Sequence, residues 1–261
     1  MFWFGSGFGV RGSAFGRSAS RRTLRTSRFV GSACLYVVSG FRLGVEPRQP
    51  VQVIPPPLSR AVADLPYWFV IGGQAMRCFC PYRPSRDVDF GVTSAADLDD
   101  LVRQLGRRGH VEITERTGDT VHLRFDGVDV SIFVLEMLAP FVQDRRLSVT
   151  GLLATKLHVI LDRGARRDFF DLYVTLHRHA LGIAECLAAM RQVYRQDVNE
   201  PLLLRSLTFF DDAEREAALP GEGRDDWSTV KEFFWSRVGH LLIPPARELQ
   251  IEQCVIDVIE A

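Results

Sequence analysis

Lysine is almost absent from this sequence. Only Lys156 and Lys231 are lysines among its 32 basic residues, and all the others are arginines. Such a bias is typical of genome composition, so a lysine that lies inside a motif is noteworthy. The 32 acidic residues bring the formal net charge to zero. That balance excludes a uniformly basic nucleic-acid coat protein and an acidic disordered tail.

Long apolar runs and regularly spaced cysteines are also missing. No apolar run reaches the ~18–20 residues that are needed to cross a bilayer, so the sequence predicts no membrane protein. The five cysteines, an odd number with scattered spacing, give no disulfide framework and favour a reducing cytoplasm. With 46% apolar and 25% charged residues, the chain has the composition of a globular protein.

Acidic residues are absent from residues 1–45, which carry seven arginines, so residues 46–261 sum to 25 − 32 = −7. Residues 1–50 show no sustained helical or strand periodicity. The arginine pair at 21–22, followed by an apolar run, resembles a twin-arginine export signal. Because glycines interrupt that run, we favour a disordered extension. The proline-rich stretch at 47–57 predicts a stiff linker, so residues 1–58 are interpreted as extension and linker.

In the remaining sequence, the predicted secondary structure changes near residue 138. Before it, strands are predicted at 67–71, 87–92, 111–116, 121–125 and 128–135, with helices at 74–80 and 95–108. After it, helices are predicted at 151–162, 166–178, 181–195, 199–208 and 227–242. We therefore predict an α+β fold, in which a mixed-sheet domain at 59–137 precedes a helical domain at 138–261 that completes the active site.

Three carboxylates are candidates for a metal site. Asp87 and Asp89 lie on the same face of one predicted strand, because side chains alternate along a strand. Two adjacent carboxylates repel each other, so such a pair usually has a cation nearby. If the strand that contains Asp129 pairs next to this strand, all three carboxylates converge. Three hard oxygen donors suit Mg²⁺.

A glycine pair, Gly72-Gly73, precedes these carboxylates and follows an apolar strand. Glycines at such a turn let backbone N–H groups approach a phosphate, and the next helix adds its positive N-terminal dipole. A phosphate cradle followed by a metal-binding aspartate pair is typical of phosphoryl or nucleotidyl transfer.

These residues resemble a known family. Gly72-Gly73, with Arg83-x-Ser85-x-Asp87-x-Asp89, is similar to the first motif of the DNA-polymerase-β-like nucleotidyltransferases. It is closest to the abortive-infection toxins of the AbiEii/AbiGii type. Residues 156–163, which begin with Lys156, and residues 167–172 are similar to the lysine helix and the Arg-Asp-x-x-Asp helix of that family.

The resemblance implies an Mg²⁺-dependent nucleotidyltransferase that moves NMP from an NTP to tRNA or another acceptor, as the toxin of a toxin–antitoxin pair with an antitoxin partner. It implies a catalytic set and a nucleotide-binding set. The catalytic residues would be Asp87, Asp89, Lys156, Asp168 and Asp171, with Asp129 as a further metal ligand. The nucleotide would be bound by Gly72, Gly73, Arg83, Ser85, Lys156 and Arg163.

The residues alone leave other interpretations open. Asp168 and Asp171, three apart on a helix, could orient the lysine or act as a base, or they could form ordinary surface ion pairs. A local basic patch could bind RNA; its arginines would be 145, 146, 163, 166 and 167. The acidic body fits an antibiotic-modifying nucleotidyltransferase about as well. A non-catalytic binding module with the same fold is the third alternative.

Overall fold

Residues 48–195 and 198–242 are described by the computed structural model, and all of them belong to one unit, Val37–Ala261. The predicted export signal or disordered extension at residues 1–47 lies outside the described residues. Two short helices precede a five-stranded sheet, two more helices lie between its strands in the chain, and further helices follow the sheet. The fold is α+β, as the sequence predicts.

The sheet has the strand order β1-β2-β5-β4-β3. Its strands are β1 Trp68–Val70, β2 Val88–Val92, β3 Val111–Arg116, β4 Thr120–Phe125 and β5 Val128–Val134. Only β2 and β5 run parallel; the other neighbours are antiparallel. The strand that contains Asp129 therefore lies beside the strand that contains Asp89, which was the condition for bringing the carboxylates together. A two-stranded hairpin, β6 Val142–Gln143 with β7 Arg146–Leu147, lies outside this sheet.

The helices match the predicted segments closely, with three short additions. Their bounds are α1 Pro50–Val53, α2 Pro56–Val62, α3 Gly72–Phe79, α4 Ala95–Arg108, α5 Val149–Asp162, α6 Arg166–His179, α7 Ile183–Tyr194, α8 Glu200–Ser206, α9 Asp211–Glu214 and α10 Asp226–Leu242. A 3₁₀ turn at Glu136–Phe141 follows the sheet. No helix in the described ranges is both long enough and apolar enough to cross a membrane.

Local sequence signals set several element ends. The Ser94 hydroxyl caps α4 by accepting a hydrogen bond from the Asp97 N–H at 3.1 Å. Asp126 and Gly127 both have positive φ, 46° and 82°, and join β4 to β5 in a two-residue turn. Positive φ at both turn residues matches the right-handed twist of a hairpin, which is why the Asp-Gly pair is favoured there.

The prediction of a linker up to residue 58 is wrong for its last part. Prolines occupy the first turns of α1 and α2, where a missing N–H costs no helical hydrogen bond. Val53, Ile54 and Leu58 are buried in the same core as the sheet residues. This segment is therefore part of the folded body. The proposed boundary between residues 137 and 138 stays a prediction.

Candidate active site

The glycine pair forms the turn between β1 and α3. Gly72 has φ +58°, and a Cβ built on it would lie 2.3 Å from Asp89 Oδ2. A Cβ on Gly73 would lie 2.3 Å from Ser85 Oγ. Any side chain at either position would collide with a predicted site residue, and at Gly72 the backbone would also be strained. The turn and residues 85–89 therefore form one site, as the motif predicts.

Asp87 and Asp89 are free of direct partners. Among the described residues, neither carboxylate makes an ion pair or accepts a side-chain hydrogen bond. Asp87 is exposed and Asp89 is partly buried. Burial raises the pKa of Asp89, the Lys156 charge opposes this rise, and the Asp87 charge adds to it. The site thus holds an incompletely compensated pair of carboxylates.

The Asp129 carboxylate does not join those of Asp87 and Asp89. Val88 and Val130 form the first pair of the parallel ladder. Asp87 and Asp129 each come one residue before this pair, so they lie at the same end of the two strands. The Asp129 carboxylate, however, lies 3.2 Å from Arg124 Nε on the antiparallel neighbour, and its side chain is 66% exposed. Asp89 itself is paired with Ser131. The strand pairing that the sequence left as a condition is present, but the competing arginine was not anticipated.

The donor chemistry fits a magnesium ion only in part. Two unpaired carboxylates beside a glycine turn are hard oxygen donors of the kind that Mg²⁺ takes, with waters and phosphate oxygens completing its shell. No cluster of three or more His, Cys, Asp or Glu side chains within residues 48–195 and 198–242 is arranged to hold a metal. A third protein ligand would require Asp129 to leave Arg124.

The second motif forms a buried charge cluster between α5 and α6. Asp171 is fully buried, and four donor atoms reach its carboxylate. Arg83 donates from Nε at 2.8 Å and from Nη2 at 2.6 Å, and Lys156 Nζ donates at 2.6 Å. The Tyr82 hydroxyl is the fourth donor. Both oxygens of the Asp171 carboxylate therefore accept hydrogen bonds from this cluster.

This environment decides between the two roles left open for Asp171. Burial alone would raise the pKa of this carboxyl, but the charges of Lys156 and Arg83 lower it to about 2. A general base works best with a pKa near the operating pH and with a free lone pair aimed at its proton. Asp171 has neither property, which favours a role in orienting Lys156 over a role as a base.

Lys156 connects the charge cluster with the carboxylate pair. Its side chain is 5% exposed, and Nζ also lies 3.5 Å from Asp168 Oδ1. Asp168 in turn accepts a hydrogen bond from Arg163 Nε at 3.0 Å. Lys156 and Arg163 therefore contact the same carboxylate. The guanidinium of Arg163 remains 48% exposed and is accessible to a ligand.

Arg83 is placed differently from its predicted role. The sequence assigned it to nucleotide binding, but its guanidinium is buried and engaged by both oxygens of Asp171. A bidentate arginine–carboxylate pair is strong and geometrically specific. Arg83 therefore fastens the loop between α3 and β2 to the helical part of the protein.

Arg167 has a position near the site that its assignment to a possible RNA-binding patch did not anticipate. Its charge acts on Asp89, as do those of Lys156 and Arg163. Within the described ranges it makes no ion pair or side-chain hydrogen bond. Its neighbour Arg166 instead pairs with Glu222 and lies over the Trp227 ring. Helical spacing alone could not decide which of two consecutive arginines faces the site.

The other candidates pack as ordinary structure. Cys78 and Cys80 are free and buried, and burial raises the pKa of the Cys78 thiol to about 12. His158 stacks on Tyr194 with ring centroids 5.0 Å apart. Trp68 is buried and packs edge-on against Phe90. None of these residues joins the carboxylate pair.

Two comparisons with known proteins bear on this geometry. Residues 106–234 match the family model described as "Nucleotidyl transferase AbiEii toxin, Type IV TA system". The matched range includes the second motif and begins after the glycine pair and Asp89. A protein of Aquifex aeolicus (strain VF5), described as "Uncharacterized protein aq_aa25", is 26% identical over 186 residues. That alignment covers 67% of this chain and 88% of the Aquifex protein.

The family match falls on the helices that carry Lys156, Asp168 and Asp171, the same helices on which the resemblance to this family rests. Residues 106–234 are thus similar to the AbiEii nucleotidyl transferase toxins, and this match indicates a nucleotidyltransferase activity.

Proposed function

We propose that this protein uses Mg²⁺ to transfer NMP from an NTP to a cellular acceptor, and that tRNA is this acceptor. The observation that carries the proposal is the unpaired carboxylate pair, Asp87 and Asp89, beside a glycine turn and under the field of Lys156. Negative charge that no protein cation contacts directly is what a nucleotide-bound metal would neutralise.

The residues have distinct roles in this proposal. Asp87 and Asp89 hold the metal, which supplies charge neutralisation at the phosphates when it is bound. The Gly72-Gly73 turn and Ser85 hold phosphate oxygens. Lys156, held in place by Asp171, faces the triphosphate. An acceptor hydroxyl attacks the α-phosphorus and gives its proton to solvent water, the bond between the α-phosphorus and the bridging oxygen breaks, and pyrophosphate leaves.

Asp129 becomes a third metal ligand only if its ion pair with Arg124 opens. Both partners are more than half exposed, and exposed ion pairs contribute about 0–1 kcal/mol. A metal ion with a triphosphate can therefore compete with Arg124 for this carboxylate. The register of β2 and β5 already brings Asp129 to the same end of the ladder as Asp87.

The nature of the acceptor depends on which arginines are available. In the predicted RNA patch, Arg145 lies over Trp68, Arg146 is 3.7 Å from Asp144, and Arg166 is paired with Glu222. Of the five arginines in this patch, only Arg163 and Arg167 remain able to bind a phosphate near the site. RNA recognition thus rests on few cations, which keeps a small-molecule acceptor as the second candidate.

The toxin assignment carries two further proposals. A type IV toxin–antitoxin family implies an antitoxin partner. This antitoxin would suppress the growth arrest that the protein causes. A cytoplasmic location is supported by three described cysteines, Cys78, Cys80 and Cys186, all of which are free and buried.

The test is incubation of the full chain with Mg²⁺, each α-labelled NTP in turn, and total RNA. The control protein carries Asp87→Ala and Asp89→Ala, and a matched double variant carries Asp211→Ala and Asp212→Ala at an exposed helix start. Label in tRNA with wild type and with the matched variant, but not with the site variant, supports the proposal. Label only in added aminoglycoside-type small molecules favours the second candidate. A folded protein that transfers no label to any acceptor contradicts both.

A further inference from the structure

Gln74 is a buried polar side chain whose contacts all lead to the site. It is 0% exposed and lies in the first turn of α3, next to the glycine pair. Its Nε2 donates to the backbone carbonyl of Asp87 at 3.0 Å and, at 3.4 Å, to that of Ser85. One amide group therefore holds the backbone on both sides of residue 86.

The orientation of this amide is fixed from its other end. Arg77 Nη1 donates to Gln74 Oε1 at 3.0 Å and also to the backbone carbonyl of Val53 in α1. A guanidinium has only donors, so Oε1 must face Arg77 and Nε2 must face the two carbonyls. A flipped amide would oppose donor to donor on one side and acceptor to acceptor on the other.

Apart from the Gln74 amide, the side-chain contacts within the described ranges that fasten the loop between α3 and β2 to the helices lie in its first half. Tyr82 and Arg83 attach its first half to Asp171. Asp87 is exposed and its carboxylate has no partner among the described residues, so the side chain does nothing to order the second half. Among the residues that the structure describes, the side-chain donors that reach the Asp87 carbonyl are the Gln74 amide and, at 3.5 Å, the Ser85 hydroxyl.

We propose that Gln74 is a positioning residue that holds Asp87 and Ser85 in their ligand-binding arrangement, with Arg77 fixing its amide. The inference rests on the proposed function for the role of Asp87, but the contacts of Gln74 are independent of it. A buried amide that satisfies two loop carbonyls orders that loop before any ligand binds, which lowers the entropy cost of binding.

The first experiment measures the loop itself. Gln74→Met keeps the length of the side chain and removes its hydrogen bonds, and Gln192→Met is the matched control at an exposed position of α7. Hydrogen exchange is followed in the full-length protein without ligand. We expect exchange in peptides covering residues 83–90 to become about tenfold faster in Gln74→Met, as the loss of one such hydrogen bond predicts. Peptides from α5 and α6 should not change.

The second experiment measures the affinity for Mn²⁺ alone, used as a spectroscopic substitute for Mg²⁺. We expect Gln74→Met to weaken Mn²⁺ binding about fivefold or more, beyond any change in Gln192→Met. Arg77→Met, which leaves the loop untouched but releases the amide, should weaken it less and in the same direction. It also keeps the proposal testable if Gln74→Met does not fold.

The outcomes distinguish a failure of the inference about Gln74 from a failure of the proposed metal site. Wild-type loop exchange and wild-type Mn²⁺ affinity in Gln74→Met overturn the inference. A lower melting temperature with both readouts unchanged also overturns it, because that is what a purely structural amide would give. If Asp87→Asn with Asp89→Asn binds Mn²⁺ as tightly as wild type, the metal site of the proposed function fails. Loop exchange in Gln74→Met then decides for or against Gln74 separately.

Discussion

Replacing Asp171 by Asn tests whether this residue is an electrostatic anchor or a base. The amide preserves the shape of the side chain but substitutes an NH₂ donor for one oxygen. The carboxylate receives hydrogen bonds from Arg83 at 2.6 Å and from Lys156 at 2.6 Å. In the variant, one of these cations faces another donor, and the negative charge that balanced both is gone.

The structure sets the size of this effect. The charges of Lys156 and Arg83 lower the pKa of Asp171 from 3.8 to about 2, so the interactions favour the ionised form by roughly 2–3 kcal/mol. Breaking a buried ion pair by removing one partner costs roughly 3–5 kcal/mol. At about 2–4 °C per kcal/mol, Asp171→Asn should lower the melting temperature by roughly 6–20 °C.

The pH dependence provides a sharper check. Because folding lowers the pKa of Asp171, its contribution is present above the unfolded value of 3.8 and is lost as the pH falls through about 2. The difference in unfolding free energy between wild type and Asp171→Asn should therefore be constant from pH 7 to 5. It should fall by about 1 kcal/mol near pH 3.

Urea unfolding at several pH values, with Asp225→Asn as an exposed control, makes this measurement. A difference below about 1 kcal/mol at pH 7, together with complete loss of label transfer, would refute the anchor interpretation. That result is the signature of a base whose removal affects chemistry and leaves the fold intact. Growth of the difference toward low pH would refute the sign of the electrostatic argument.

Three further substitutions test other parts of the site. Asp89→Asn should raise the melting temperature without metal. Folding raises the pKa of Asp89, so the ionised carboxylate lowers the stability as the pH rises through that pKa. Mg²⁺ should stabilise wild type and not this variant. Arg167→Ala should raise the KM for NTP about tenfold with unfolding unchanged, measured beside Arg215→Ala as an exposed control. Gly72→Ala should destabilise the protein by at least about 1 kcal/mol in urea unfolding, because its Cβ would lie 2.3 Å from Asp89 Oδ2 at φ +58°; wild-type stability would contradict the described turn.

Much of the fold follows from local sequence because its signals act over a few residues. The cap at Ser94 and the Asp126-Gly127 turn depend on neighbouring backbone only, and the helix and strands that they bound are where the sequence predicts them. The proline-rich segment misled the prediction for the same reason. Its prolines fit the first turn of a helix as well as a linker, and the choice depends on the core against which Leu58 packs.

The site was predicted in its residue types and less well in its pairings. Periodicity places Asp87 and Asp89 on one face, but it contains no information about which distant cation pairs with which acid. Arg83 and Asp171 are 88 positions apart, and Arg124 captures Asp129 from the neighbouring strand. Gln74 had no signal at all, because one buried glutamine in a short helix resembles any other until its partners are known.

The pairing of Arg83 with Asp171 also explains how two motifs form one site. The family match begins at residue 106, so it contains Asp171 and Lys156 but not the carboxylate pair. Tyr82 and Arg83 reach from the unmatched part into the matched part, and the Lys156 charge acts back on Asp89. Without Asp171, Lys156 would lose its orientation and the loop would lose its attachment together. The candidate site therefore depends on the contact between the two parts, and neither part contains all of its residues.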